Sequence, residues 1–199
     1  MQPAAPHPPR WLGVLPLLFL AAHLCGRLSA GHPEDALWLC HVADLLLGCG
    51  LLLRAPRVWA LGSVWIVWGT PLWISDVASG GAFRATSLGT HLGALLVALA
   101  AARRGAFPRG TWWRAILAVW ILLALTRAVA APAENLNLAF TVQPGWEHVF
   151  PTYPAYFAFV SAVATGVFFA AELAFRRFSH AGKRRGDLDA DQIAQSRSR

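Results

Sequence analysis

Apolar residues run through this chain in long blocks separated by short polar breaks, and the blocks have the length of helices rather than strands. A helix that crosses a bilayer needs about 20 mostly apolar residues, within a range of about 17–25. Six blocks fit this pattern: residues 11–28, 36–53, 58–74, 87–102, 112–130 and 154–175, the fourth being the shortest. The expected fold is therefore all-α, a polytopic transmembrane helix bundle of six spans over residues 1–178. A polar tail over 179–199 follows, with Asp187, Asp189 and Asp191 alternating in it; it reads as flexible, with room for a short helix. The connections are short except the fifth, residues 131–153. A loop of that length is usually functional or disordered, and its Phe140, Trp146, Phe150 and Tyr153 favour folding back onto the bundle.

The placement of basic residues orients the bundle, because Lys and Arg accumulate in cytoplasmic loops. With both termini inside, 14 of the 17 Lys and Arg fall on the cytoplasmic side, and only Arg27, Arg84 and Arg127 fall outside. Both termini are therefore expected in the cytoplasm. The first block is read as a span rather than a cleaved leader, because Arg27 interrupts the approach to the small-residue stretch Leu28-Ser29-Ala30. Trp11, Trp38, Trp73, Trp112, Trp113, Tyr153 and Tyr156 lie near predicted helix ends, where amphipathic rings anchor at the interface. Trp65, Trp68 and Trp120 fall in mid-span and are expected between helices.

Composition agrees. The chain of 199 residues is 56% hydrophobic and 14% charged, against about 45–50% and about 25% for soluble domains. So few charges leave too much apolar surface for an ordinary soluble domain and exclude disorder. The net charge of +7 follows from topology rather than from nucleic-acid binding, with attraction to anionic lipid as a secondary effect. The expected partner is the lipid bilayer, with a lipid or small-solute ligand. Cys25, Cys40 and Cys49 lie inside predicted spans without a CxxC spacing, so they read as small buried apolar residues. No cofactor is implied: the sequence carries no phosphate loop, HExxH, GxSxG or dinucleotide fingerprint.

Polar and ionisable residues inside a span are costly and mark interior faces or sites. The second span places Cys40, His41, Asp44 and Gly48 on one face, with His41 and Asp44 at i and i+3, close enough to touch. Asp44 lies roughly 12 Å below the start of that span. The fourth span carries Ser87, Thr90 and His91 in its first turns, and Gly89 and Gly93 form a small-xxx-small pair suited to close helix approach. The third leaves through Thr70-Pro71, where a kink is expected, and then Trp73 and Asp76. Arg127 ends the fifth span, and the loop after it carries Glu134, Asn135, Asn137, Trp146, Glu147 and His148. These residues are expected to converge on one outward-facing polar pocket. In it His41, Asp44 and His91 are the candidate catalytic residues, and Arg127, Asn135, Asn137, Asp76, Trp73 and His148 the candidate substrate contacts. His23 of the first span stands close enough in depth to line it. A histidine beside a carboxylate is an acid–base pair tunable near neutral pH, or a metal ligand with its outer partner. The packing alternative pairs Asp44 with Arg127 or His41, leaves His91 as an interhelical hydrogen bonder, has Asn135 and Asn137 satisfy open backbone, and ion-pairs Glu172 with Arg176.

Three features resemble the YwaF-type family of small bacterial integral membrane proteins, over about residues 36–175. They are Leu37-Trp38-Leu39-Cys40-His41 with Asp44, Trp68-Gly69 running out to Asp76, and Glu134-Asn135-Leu136-Asn137 followed by Pro and Gly. The family has His before the Cys and Asp directly after it, where Trp38 and His41 stand here. The resemblance implies the bacterial cytoplasmic membrane and no firm activity. Distant eukaryotic proteins of similar layout look like intramembrane lipid hydrolases or acyltransferases using a Thr or Cys nucleophile with a His. That scheme would take Cys40 with His91, or Thr90 with His41. Three functions compete: a pocket acting on a lipid or lipid-linked substrate, a proton-coupled small-solute transporter titrating at Asp44, and a non-catalytic membrane scaffold. The lack of a visible internal repeat and the small size weigh against a transporter unless the chain forms an oligomer.

Overall fold

In the computed structural model the backbone of residues 7–197 and the side chains of residues 7–179 are described. Six principal helices follow one another: α1 (Val14–Leu28), α2 (Leu39–Leu52), α3 (Pro56–Ala78), α4 (Ala85–Arg104), α5 (Thr111–Val129) and α6 (Tyr153–Arg197). A 3-10 turn, Arg10–Gly13, leads into α1. No strand occurs among the described residues. Beyond Ser179, where a flexible tail was expected, the backbone of α6 stays helical to Arg197; the side chains there lie outside the described residues.

Among the described residues five helices are long and apolar enough to cross a membrane: Arg10–Leu28, Pro56–Ala78, Ala85–Arg104, Thr111–Val129 and Tyr153–Ser179. Their outward faces carry large apolar side chains, Leu96 at 66% and Val129 at 68% exposure among them. Such surfaces suit lipid better than water. The second predicted span is the one that differs. A single helix was expected from residue 36, but Pro33–Leu37 forms a 3-10 turn, Trp38 is extended at φ −56° and ψ 136°, and α2 starts at Leu39. Its 14 residues rise about 21 Å, against about 30 Å of hydrocarbon. Competing hydrogen bonds stop the helix from extending backwards. The Asp35 carboxylate accepts from the Trp38 indole at 3.0 Å and pairs with Arg27, and the Asn137 side chain takes both the Leu39 N–H and the Leu37 carbonyl.

Helix α2 ends in a Schellman motif. Arg54 adopts φ +54°, the Ala55 N–H reaches the Gly50 carbonyl at 2.8 Å, and the Arg54 N–H reaches Leu51 at 3.2 Å. Pro56 then opens α3 at a position where its missing N–H costs nothing. The resulting α2–α3 hairpin is tight: a Cβ on Gly62 would stand 2.6 Å from the Ala43 carbonyl oxygen. Helix α3 is the central element, packed against α2, α4, α5 and α6, with Trp59, Val64, Trp65 and Ile66 in the core beside Leu47 and Phe168. It runs helical through Pro71 to Ala78. The Trp65 indole donates to the Ala115 carbonyl of α5 at 3.2 Å, as a mid-span Trp between helices should. Trp68 likewise packs edge-on to Phe168, whereas Trp120 is 47% exposed on the outer face of α5.

Glu172, expected to pair with Arg176, lies 4.0 Å from it but does more at the start of α5. Its buried carboxylate accepts from the Gly110 and Trp112 N–H groups at 2.9 and 3.0 Å. Those are two of the amides a helix start leaves open. The long connection is ordered by short turns at Pro132–Glu134 and Leu136–Leu138 and inserts Leu136 and Ala139 into the protein. Trp146 stacks on Phe150, and both meet Phe159 of α6, so the loop folds back on the bundle as its aromatics suggested.

Candidate functional site

One end of the bundle gathers three histidines from three helices. His41 sits in the first turn of α2, and its Nδ1 lies 2.5 Å from the Asp35 carbonyl oxygen. A carbonyl only accepts, so Nδ1 carries the proton and Nε2 is left with a lone pair. The ring of His23, from α1, tilts against that of His41 with centroids 5.0 Å apart, and its Nδ1 lies 2.9 Å from the Thr86 hydroxyl at the start of α4. His91 repeats the arrangement of His41: its Nδ1 lies 2.9 Å from the Ser87 carbonyl, so its Nε2 is also an acceptor. Trp73 of α3 stacks on the His91 ring at 4.7 Å and 15°. Both His41 and His91 are buried, at 4% and 6% exposure.

His91 stands in a π-helical turn, Gly89–Gly93, within α4. Such single-turn widenings concentrate at functional sites, where the extra residue re-aims a side chain. The small pair Gly89 and Gly93, expected to let another helix approach closely, faces α1 and accommodates the ring of its Phe19: a Cβ on Gly93 would stand 2.7 Å from Cε2 of that ring.

The expected His41–Asp44 pair does not form. Helical side chains lean toward the N-terminus, and the His41 ring swings that way onto the Asp35 carbonyl, leaving Asp44 one turn deeper. Asp44 is fully buried, and neither of its carboxylate oxygens has a hydrogen-bond partner among the described residues. The orienting group of His41 is thus a backbone carbonyl, and Asp44 is a separate feature.

Most of the expected substrate contacts are occupied elsewhere. Arg127 donates from Nε to the Ala139 carbonyl at 2.6 Å and lies over the Tyr153 ring, so it does not meet Asp44. Asn135, at φ +38°, closes its own loop, its Oδ1 accepting from the Phe140 and Thr141 N–H groups at 3.0 Å. Asn137, at φ +55°, accepts from Leu39 and donates to the Leu37 carbonyl, both at 2.8 Å, with Thr126 at 3.4 Å. It therefore pins the start of α2 next to His41 without reaching the rings. Asp76 is exposed at the end of α3, beside Gly81, and His148 is exposed in the loop. These placements correct the expectation of one pocket lined by all of them: the structure joins His23, His41, His91 and Trp73, and disperses Asp44, Asp76, Arg127, Asn135 and His148. Each dispersed polar group other than Asp44 is answered by nearby backbone or lies at the surface, which is what open loop carbonyls and amides demand.

Sequence reasoning missed Asp35. It is buried at 6% exposure and organises the site through its pair with Arg27, its bond from Trp38 and its carbonyl toward His41. The available signal was an acid directly before a predicted apolar span, eight residues after an arginine. Thr90, a nucleophile in one scheme, is fully buried, donates to the Ser87 carbonyl at 3.1 Å and stands beside His91 rather than His41. Cys40 is half-buried, and the three cysteines are free thiols. Among the described residues no group of three or more His, Cys, Asp or Glu side chains is placed to hold a metal ion. Compared with known proteins, the chain matches no family model, no curated protein and no solved structure.

Proposed function

We propose that this chain is a six-span integral protein of the bacterial cytoplasmic membrane, with both termini inside, that acts on a lipid or lipid-linked substrate at its histidine-bearing end. Membership of the YwaF-type group belongs to the same proposal. The observation that carries it is the matched pair His41 and His91. Each has Nδ1–H committed to a backbone carbonyl, so each offers Nε2 as a base of fixed tautomer. Trp73 holds the His91 ring by stacking, and Asp35 holds that of His41. Both histidines lie in the first turns of their helices, the level at which a lipid headgroup or ester linkage reaches a membrane protein. The apolar side chains around that end, Leu88 and Leu92 of α4, are exposed to the surrounding phase and suit an acyl chain.

The test is turnover of membrane lipids by the purified protein in liposomes, followed by mass spectrometry. His41→Ala and His91→Ala should each lower turnover by about 10²-fold or more, with insertion unchanged. Full turnover in both variants overturns the reading. Reporter fusions at the five connections test the topology, and a connection reporting the wrong side removes the six-span arrangement.

A second reading rests on a different observation. The buried, unpartnered carboxyl of Asp44 is what a proton-coupled carrier requires of its titrating group. Here Asp44→Asn should abolish proton-driven solute flux into proteoliposomes; flux that survives it rejects the carrier.

A further inference from the structure

At the opposite end of α4 from the histidines, a depression of about 420 Å³ is lined by Leu96, Leu99, Ala100, Arg103 and Arg104. These positions recur at spacings of three and four, so they form one stripe along the helix. The stripe changes character along its length. Leu96, 66% exposed, and the half-buried Leu99 and Ala100 offer an apolar trough. Two exposed guanidiniums then close the trough at the helix end. Arg103 lies over the Phe178 ring of α6 at 5.8 Å, and the neighbouring Ser179 hydroxyl donates to the Ala102 carbonyl at 2.8 Å, so the arginine end of the stripe lies beside α6. Arg104, exposed, reaches back to the Ala100 carbonyl with one nitrogen at 3.4 Å, and a guanidinium has further N–H donors beyond that one. Neither guanidinium makes an ion pair among the described residues.

We propose that this stripe is a binding site for an anionic phospholipid. Its phosphate would be held between Arg103 and Arg104, and one acyl chain would lie along Ala100, Leu99 and Leu96. The chemistry is complementary at both ends: a paired guanidinium fork recognises phosphate oxygens with more donors than a single point charge, and the exposed leucines face the phase that acyl chains occupy. Basic residues where a transmembrane helix meets the cytoplasm are the expected place for such headgroups. A zwitterionic lipid fits less well, since its choline or ethanolamine would bring a cation toward the two arginines. The inference rests on the chain spanning a membrane, but on none of the histidine chemistry.

The test uses native mass spectrometry of the full-length protein in detergent, titrated with phosphatidylglycerol, with phosphatidylcholine and with inorganic phosphate. Retention of phosphatidylglycerol at one site is expected, with affinity falling on the order of tenfold in Arg103→Gln/Arg104→Gln. The charge-matched control Arg10→Gln/Arg57→Gln should bind within about twofold of the parent. Equal retention of phosphatidylcholine, capture of inorganic phosphate alone, or equal loss in both double variants overturns the site. Carbonate extraction of membranes carrying the parent protein reports separately on membrane insertion, so a failure of the site and a failure of the membrane reading give different results.

Discussion

Removing the Asn137 side chain should loosen the start of α2 and, with it, the setting of His41. Asn137→Ala deletes two hydrogen bonds of 2.8 Å, one accepted from the Leu39 N–H and one donated to the Leu37 carbonyl, and a longer contact to Thr126. Both backbone groups sit where the chain passes from a 3-10 turn through extended Trp38 into a helix, so neither has an intrahelical partner in reserve. Each part-buried group left unpaired costs about 1–3 kcal/mol, and the weak third contact adds little, so the loss from the two groups should total about 2–6 kcal/mol. Alanine also inherits φ +55°, a left-handed conformation that asparagine tolerates and alanine does not. Asn137→Gly should therefore recover about 1 kcal/mol relative to the alanine variant. Asn137→Asp keeps the acceptor toward Leu39 and loses the donor, and should fall between parent and alanine. The assay is reversible unfolding in mixed micelles by titration with sodium dodecyl sulfate, read by tryptophan fluorescence. Stability of both the alanine and the glycine variants within about 0.5 kcal/mol of the parent would refute the idea that this side chain holds the helix start.

Gly62→Ala forces a methyl to within 2.6 Å of the Ala43 carbonyl and 2.7 Å of the Leu47 nitrogen, both backbone atoms that cannot rotate away. A loss of about 1–3 kcal/mol is expected in the same titration, and an unchanged midpoint would count against the tight α2–α3 contact. Glu172→Ala strips a carboxylate from two amides at the start of α5 and should cost about 3–6 kcal/mol, at about 1.5–3 kcal/mol per charged hydrogen bond; a loss under about 1 kcal/mol would contradict the assigned cap. A double-mutant cycle between Arg27→Gln and Asp35→Asn should show coupling of about 1 kcal/mol or more, because Asp35 is buried. Additive losses would mean the pair does not act as a unit.

Helix type and membrane-crossing length were legible along the chain because both depend on local composition: blocks of apolar residues set them, α1, α3, α4 and α5 follow those blocks closely, and α6 starts with its block but continues helical to Arg197. The exception is instructive. The block over 36–53 is as apolar as its neighbours, yet the helix begins only at Leu39, because the bonds that compete for its first turn come from Asp35 and, 98 positions away, from Asn137. Periodicity carries no information about a partner at that separation. The π turn at His91, where Gly89 and Gly93 face the Phe19 ring of α1, was equally silent in the local pattern.

The candidate site divides the same way. Spacing alone identified His41, His91 and Trp73 as polar or aromatic groups near one end of the bundle, and it placed His23 at a compatible depth. Spacing could not choose among neighbours competing for the same ring. A residue three positions along a helix is near enough to touch, but the carbonyl of Asp35, on the side toward which helical side chains lean, was nearer to the His41 ring than the Asp44 carboxylate. Which residues can cross a bilayer is settled by how apolar a segment is, a property the segment carries within itself. Which polar groups meet is settled by closure of distant segments, where each hydrogen bond formed withdraws a donor or acceptor from every alternative, and only the folded chain makes that selection.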